Sequence, residues 1–205
     1  MLFKLINIME ETICIFGAST TWGAWDKEKG GWVNRLRLFL EQNDDTVFVY
    51  NLGILGDTSK GLLKRIKIES EARNPTLIII SIGENDSAKN SYVYVPIKEF
   101  KNNILETIKI AKTFTDKILL LGTKNVDESK TCPVPWDKTI SYTNKDFEEY
   151  DKAIKKIAEK ESVNYLKMSD LLDIDDLEDG IHPNLNGHQK IFLRVKEFII
   201  KNRLV

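Results

Sequence analysis

Cysteine is scarce in this chain: 205 residues contain two, Cys14 and Cys132. Two thiols in separate segments make no disulfide framework, and such usage fits a reducing compartment. Cys14 falls in the apolar run TICIF and reads as a small buried hydrophobe; Cys132, in a Pro-rich loop, reads as more exposed. An excess of one charge is also missing. Thirty basic side chains nearly balance thirty-one acidic ones, for a net charge of −1, so nothing electrostatic points to nucleic acid or an anionic membrane as partner. No apolar run nears the roughly 18 residues of a spanning helix, and no integral membrane association is expected. The opening MLFKLINIM is broken by Lys4 and Asn7 and leads to no small-residue cleavage site. That argues against a signal peptide and for the cytoplasm. Repeats, low-complexity tracts and linkers are absent too, so residues 1–205 read as one domain. Oligomeric state is left open.

What the chain does contain is an alternation. Short apolar runs at 12–17, 46–51, 76–82, 117–122 and 163–166 read as strands. Their near-continuous apolar character predicts burial on both faces, as in a parallel sheet. Between them, apolar residues at helical spacing predict helices over 32–42, 59–70, 98–114, 144–161 and 185–202, with Thr58 or Ser59 as N-cap of the second. The order reads as an α/β fold, a three-layer α/β/α sandwich. Two connections are long, 20–31 and 123–143. In open α/β sheets ligands bind beyond the carboxyl ends of the strands, where both loops lie, so a substrate-rimming role is expected of them.

Chemistry gathers at the same strand ends. The first strand ends in Gly17-Ala18-Ser19, the second in NLGILGDTS (residues 51–59), the third in Gly83-Glu84-Asn85-Asp86, and a late turn reads Asp179-Gly180-Ile181-His182-Pro183. A serine hydroxyl needs an imidazole to take its proton, and the imidazole needs a carboxylate to fix its tautomer. Histidine is the other scarce residue, with two copies. His182 precedes a proline, which biases it to extended backbone, and Asp179 lies three residues before it in a Gly-containing turn. His188 falls near the apolar stripe of the last helix and reads as a hydrogen-bonded residue at its edge. A metal site from His182, His188 and a carboxylate matches no zinc spacing. Attack on an acyl carbon also needs oxyanion donors; the candidates are the backbone N–H groups of Ser19 and Gly53 and the side-chain amide of Asn85.

These four segments resemble the SGNH hydrolases, the GDSL-like esterase and lipase family. Its blocks are matched by Gly17-Ala18-Ser19, Gly53 in NLGILGDTS, Gly83-Glu84-Asn85-Asp86 and Asp179-Gly180-Ile181-His182, and HPNLNGHQKI after the last block looks like the family's continuation. The resemblance implies a flavodoxin-like sheet of five parallel strands in the order 2-1-3-4-5, with no metal or organic cofactor. It also implies Ser19 as nucleophile, His182 as base, Asp179 as orienting acid, and Ser19, Gly53 and Asn85 as the oxyanion hole. The substrate expected is a small-molecule carboxylic ester, acetyl or short-acyl, with Trp22, Trp25 and Trp136 as walls for a sugar or an aromatic group. One residue departs: the family's usual Asp before the serine is Ala18. The Gly-x-Ser-x-Gly elbow of the larger α/β-hydrolase fold is absent, since position 21 is Thr. A non-catalytic binding protein on the same fold and an acyltransferase using the same triad are the alternatives. A mononucleotide binder would need more glycine than GASTTWGAWD supplies.

Overall fold

A computed structural model of the chain describes residues 10–89 and 91–205. The N-terminal MLFKLINIM, read above for a leader, lies outside the described residues. Strands β1 (Glu11–Gly17), β2 (Val47–Gly53), β3 (Leu77–Ser81), β4 (Ile118–Leu121) and β5 (Asn164–Leu166) form one sheet in the order β2-β1-β3-β4-β5. All neighbours are parallel, with Gly17 level with Gly53 on one side and Ser81 on the other. That register brings the carboxyl ends of the first three strands to one level.

Alternate strand residues feed two cores, as the two-residue side-chain period requires. Cys14, Phe16, Ile78, Ile80, Ile118 and Leu120 pack against α3 (Ser59–Glu71), α4 (Ile97–Ala111) and α6 (Asn144–Glu161). Ile13, Ile15, Leu77, Ile79, Leu119 and Leu121 pack against α2 (Gly31–Asn43) and α7 (Leu185–Lys201). The expected sandwich is therefore observed, and the long elements fall where apolar spacing put them. Polar caps set several helix starts. Thr58 Oγ1 accepts from the Gly61 N–H, Thr143 Oγ1 from the Asp146 N–H, and Asn184 Oδ1 from the Asn186 and Gly187 N–H groups.

Strand β2 departs from the expectation of two buried faces. Val47, Val49 and Leu52 are buried, whereas Phe48 and Tyr50 are 38% and 40% exposed. The reason is position: β2 is an edge strand, and among the described residues no helix covers that side chain row. A second difference lies in the long connections. Residues 19–22 form the short helix α1, and Glu128–Thr131 form the short helix α5. Both are one-turn pieces, too brief to leave a periodic signal. Among the described residues no helix is long and apolar enough to cross a membrane.

Candidate active site

Ser19 opens α1 directly beyond β1, and His182 and Asp179 come from the turn before α7. The structure brings all three together. Ser19 Oγ lies 2.8 Å from His182 Nε2, and His182 Nδ1 lies 2.7 Å from Asp179 Oδ2. An Nδ1–H donating to the carboxylate leaves Nε2 free to accept the serine proton, so the geometry selects the productive tautomer. The turn is tied on itself. The Ile181 and His182 backbone N–H groups donate to Asp179 Oδ1 at 3.1 and 2.8 Å. The second oxygen, Oδ2, also accepts from the Trp25 indole N–H at 2.9 Å. Burial works against ionisation of Asp179, but the bonds and charge of His182 and the backbone N–H donors outweigh it and hold the carboxyl well below its ordinary range.

On the far side of Ser19 the three expected oxyanion donors fare differently. The Ser19 N–H is at the first position of α1, where helix geometry offers no internal acceptor. Asn85 is buried; its Nδ2 donates one hydrogen to the Asp57 carbonyl at 2.9 Å, and its Oδ1 accepts from the Tyr142 hydroxyl at 3.3 Å. Burial pushes Tyr142 up to about 12, so the hydroxyl stays a donor. Gly53, by contrast, already donates its N–H to Asn51 Oδ1 at 3.0 Å. Its lack of a side chain serves packing, because a Cβ there would sit 2.3 Å from the Trp22 backbone nitrogen. Three residues on, Gly56 occupies the exposed turn 54–57 at φ +74°, and its N–H has no acceptor among the described residues. That turn is fastened beside the nucleophile by the Ile54 N–H on the Gly17 carbonyl (3.0 Å) and beside Asn85 through Asp57.

The site opens into a cavity of about 580 Å³ lined by Trp22, Trp25, Leu55, Trp136, Asp179 and His182, among others. All three tryptophans singled out in the sequence therefore stand around one mouth. The loop 123–143 contributes twice, with Trp136 at the rim and Tyr142 behind Asn85. His188 is hydrogen-bonded as expected, and it is fully buried. Its Nε2–H donates to the Ala24 carbonyl (2.8 Å), and its Nδ1 accepts from the Trp32 N–H (3.2 Å). Burial lowers its affinity for a second proton. Among the described residues no group of three or more His, Cys, Asp or Glu is placed to hold a metal ion.

Residues 15–190 match the model of the GDSL-like Lipase/Acylhydrolase family. The chain belongs to that family. It is 28% identical to an isoamyl acetate-hydrolyzing esterase of Saccharomyces cerevisiae, over 68% of this chain and 63% of the relative. To the esterase TesA of Pseudomonas aeruginosa it is 28% identical over 55% of this chain and 54% of that one. Both matches thus span less than two thirds of the relatives' lengths. Among solved structures, a catalytic mutant of an acetylxylan esterase from Geobacillus stearothermophilus superimposes with a TM-score of 0.74 at 20% identity, covering 91% of this chain and 93% of that one. An α/β hydrolase from a Lake Arreo metagenome gives 0.73 at 20% identity, covering 91% and 94%. At these identities the likeness is one of fold.

For a GDSL-like chain the residue before Ser19 is unusual, and the structure shows where Ala18 lies. It is buried in the core that faces α3 and α4 and offers the one-turn helix no side-chain cap. Among the described residues the buried Thr20 and Thr21 hydroxyls just after it have no hydrogen-bond partner. Ser19 Oγ nevertheless stays within hydrogen-bond reach of His182. Three groups that the structure places beside the site escaped sequence reasoning: the Gly56 N–H, the Tyr142 hydroxyl and the hydrogen bond of the Trp25 indole. Gly56 carried a signal, since it immediately precedes the Asp57-Thr58 start of α3. The other two act across 57 and 154 positions, and no local pattern marks such pairs.

Proposed function

We propose that this protein is a serine esterase that cleaves a carboxylic ester through an acyl-enzyme on Ser19. The observation that carries the reading is the continuous chain from Ser19 Oγ through His182 to Asp179, at 2.8 and 2.7 Å. As Oγ attacks the ester carbon, His182 Nε2 takes its proton, and the carbonyl π electrons move onto oxygen. The Ser19 N–H, the Gly56 N–H and the second hydrogen of Asn85 Nδ2 receive that oxyanion. Gly56 replaces Gly53 in this role because the Gly53 N–H is engaged by Asn51. Collapse expels the alcohol oxygen, which collects the proton from Nε2. Water then repeats the sequence on the acyl-enzyme, returning acid and free Ser19.

The substrate is a small ester whose apolar or aromatic group lies against Trp22, Trp25, Leu55 and Trp136. A cavity of about 580 Å³ suits one small molecule. Two of the named proteins above carry acetates in their names, isoamyl acetate and acetylxylan. The wall here is mainly apolar, which favours the first kind, because sugar hydroxyls buried without partners lose their hydrogen bonds to water. Catalytic mutants of the acetylxylan esterase replace a serine, an aspartate and a histidine, the same three residue types.

Fluorophosphonate labelling tests the reading directly. Wild type takes up the probe and Ser19→Ala does not; a folded wild type that resists labelling overturns it. On a panel of acetates, phenyl and isoamyl esters are expected to show lower KM than acetylated xylose.

A further inference from the structure

The mechanism above leaves several buried groups without a task, and they converge on one side chain. Asp179 accepts four hydrogen bonds, two on each oxygen. Three come from its own turn, and the fourth is the Trp25 indole N–H. Trp25 holds a left-handed backbone, φ +69°, a conformation that bulky residues avoid and that persists only where the surroundings impose it.

The surroundings do so from both sides. Before it, the Ala24 carbonyl is held by buried His188. After it, the buried Asp26 carboxylate accepts from the Lys29 and Gly31 N–H groups and from the Arg35 guanidinium. Arg35 in turn reaches Gln189 and the Leu185 carbonyl on α7. These contacts clamp the 24–31 segment to the same helix that follows the catalytic turn. Among the described residues none of His188, Asp26 or Arg35 bonds to Ser19 or His182.

We propose that Trp25 is a positioning residue for Asp179, its indole N–H fixing the carboxylate oxygen that orients His182, with His188 and the Asp26–Arg35 pair as the bracket that holds the indole there. This rests on the esterase reading of the site. Trp25 also walls the cavity, so its ring and its N–H serve separate ends that one substitution separates. Trp25→Phe keeps an aromatic wall and removes the donor.

The experiment compares wild type and Trp25→Phe on one aryl acetate across pH. Expected are a fall in kcat of about ten- to hundred-fold, the range for one donor on a charged acceptor, and a KM within about two-fold. A carboxylate with one donor fewer attracts positive charge on the imidazole more strongly, so the acid limb of kcat/KM moves to higher pH. Unchanged kcat and an unchanged acid limb overturn the proposal. If Trp25→Phe does not fold, ¹H–¹⁵N spectra of wild type and Asp179→Asn decide. The chain has four indoles; that of Trp25 is expected to exchange slowly in wild type and to shift in Asp179→Asn. A fast-exchanging indole, indifferent to that substitution, overturns the proposal. Fluorophosphonate labelling of wild type, run in parallel, reports on the esterase reading alone.

Discussion

The two sides of Ser19 are built on opposite principles. On the base side the Asp179 carboxylate is saturated, with both oxygens accepting two bonds each. On the side proposed to receive the oxyanion, the groups are donors with no acceptor among the described residues: the Ser19 N–H, the Gly56 N–H and one hydrogen of Asn85 Nδ2. A base side must not move while a proton crosses it. An oxyanion side must wait with its dipoles aimed at charge that exists only in the transition state. Saturation suits the first and vacancy the second. Asn85 shows both at once, since its carbonyl end and one amide hydrogen are held by Tyr142 and Asp57 and the remaining hydrogen has no acceptor among the described residues.

The contrast can be broken from either side. The largest effect belongs to the nucleophile and base: Ser19→Ala and His182→Ala are each expected to lower kcat by about 10⁴-fold or more, read as turnover of an aryl acetate by folded protein. Next is Asn85→Ala, which removes one proposed oxyanion donor and is expected to lower kcat by about 10²–10³-fold with little change in KM; a raised KM with kcat unchanged would place Asn85 in ground-state binding instead. The two glycines then separate donation from packing. Gly53→Ala drives a Cβ into the Trp22 backbone and is expected to cost about 1–3 kcal/mol of stability, seen as a lower urea midpoint. Gly56→Ala meets no atom within 4 Å and keeps its N–H, so its cost is the positive φ, about 1–2 kcal/mol, with kcat within a few-fold of wild type. Tyr142→Phe is smaller still, since it loosens a donor without removing it, and a two- to five-fold fall in kcat is expected from a neutral bond worth about 1 kcal/mol.

The least effect on turnover comes with a pH signature in stability. Asp86, next to Asn85, is fully buried and accepts the Ser59 N–H with both oxygens, at 2.9 and 3.1 Å. Burial pushes its carboxyl up to about 7. Between the ordinary carboxylate range near pH 4 and pH 7 the folded chain holds this proton and the unfolded chain does not. Its contribution to stability is therefore fully present below that window and declines as pH rises through 7. Asp86→Asn keeps an acceptor without the charge, so the gap between wild type and variant should widen from pH 5 to pH 8 in favour of the variant. Asp179 runs the other way: its depressed carboxyl stabilises the fold above pH 4, and the contribution is lost on acidification below that.

Much of this was legible in the linear chain, for reasons that differ from element to element. Strands such as TLIIISI announced themselves because both faces are buried, and α6 and α7 because one face is. The Ser19–His182–Asp179 contact was legible because histidine is so scarce that only one copy had a carboxylate in a turn beside it. The proposed backbone donor, Gly56, was not. Gly53 and Gly56 lie in one short segment, and the choice between them rests on where the Asn51 side chain points. The exposure of Phe48 and Tyr50 was equally silent, since an edge strand and a central one share apolar composition and differ only in neighbours. That His188 is hydrogen-bonded was legible, but its partners in Ala24 and Trp32 were not, because its helix could be seen and the segment packed over it could not.

That edge strand has a consequence for how molecules of this protein meet one another. An open strand with two exposed aromatics invites a second sheet to add on. Here the outward Val49 N–H is taken by Glu41, which Arg37 holds in place, and Arg73 stacks over Tyr50. Glu41 and Arg73 thus act as gatekeepers of colloidal stability. Replacing both with alanine should leave the esterase chemistry alone and make concentrated solutions turn cloudy.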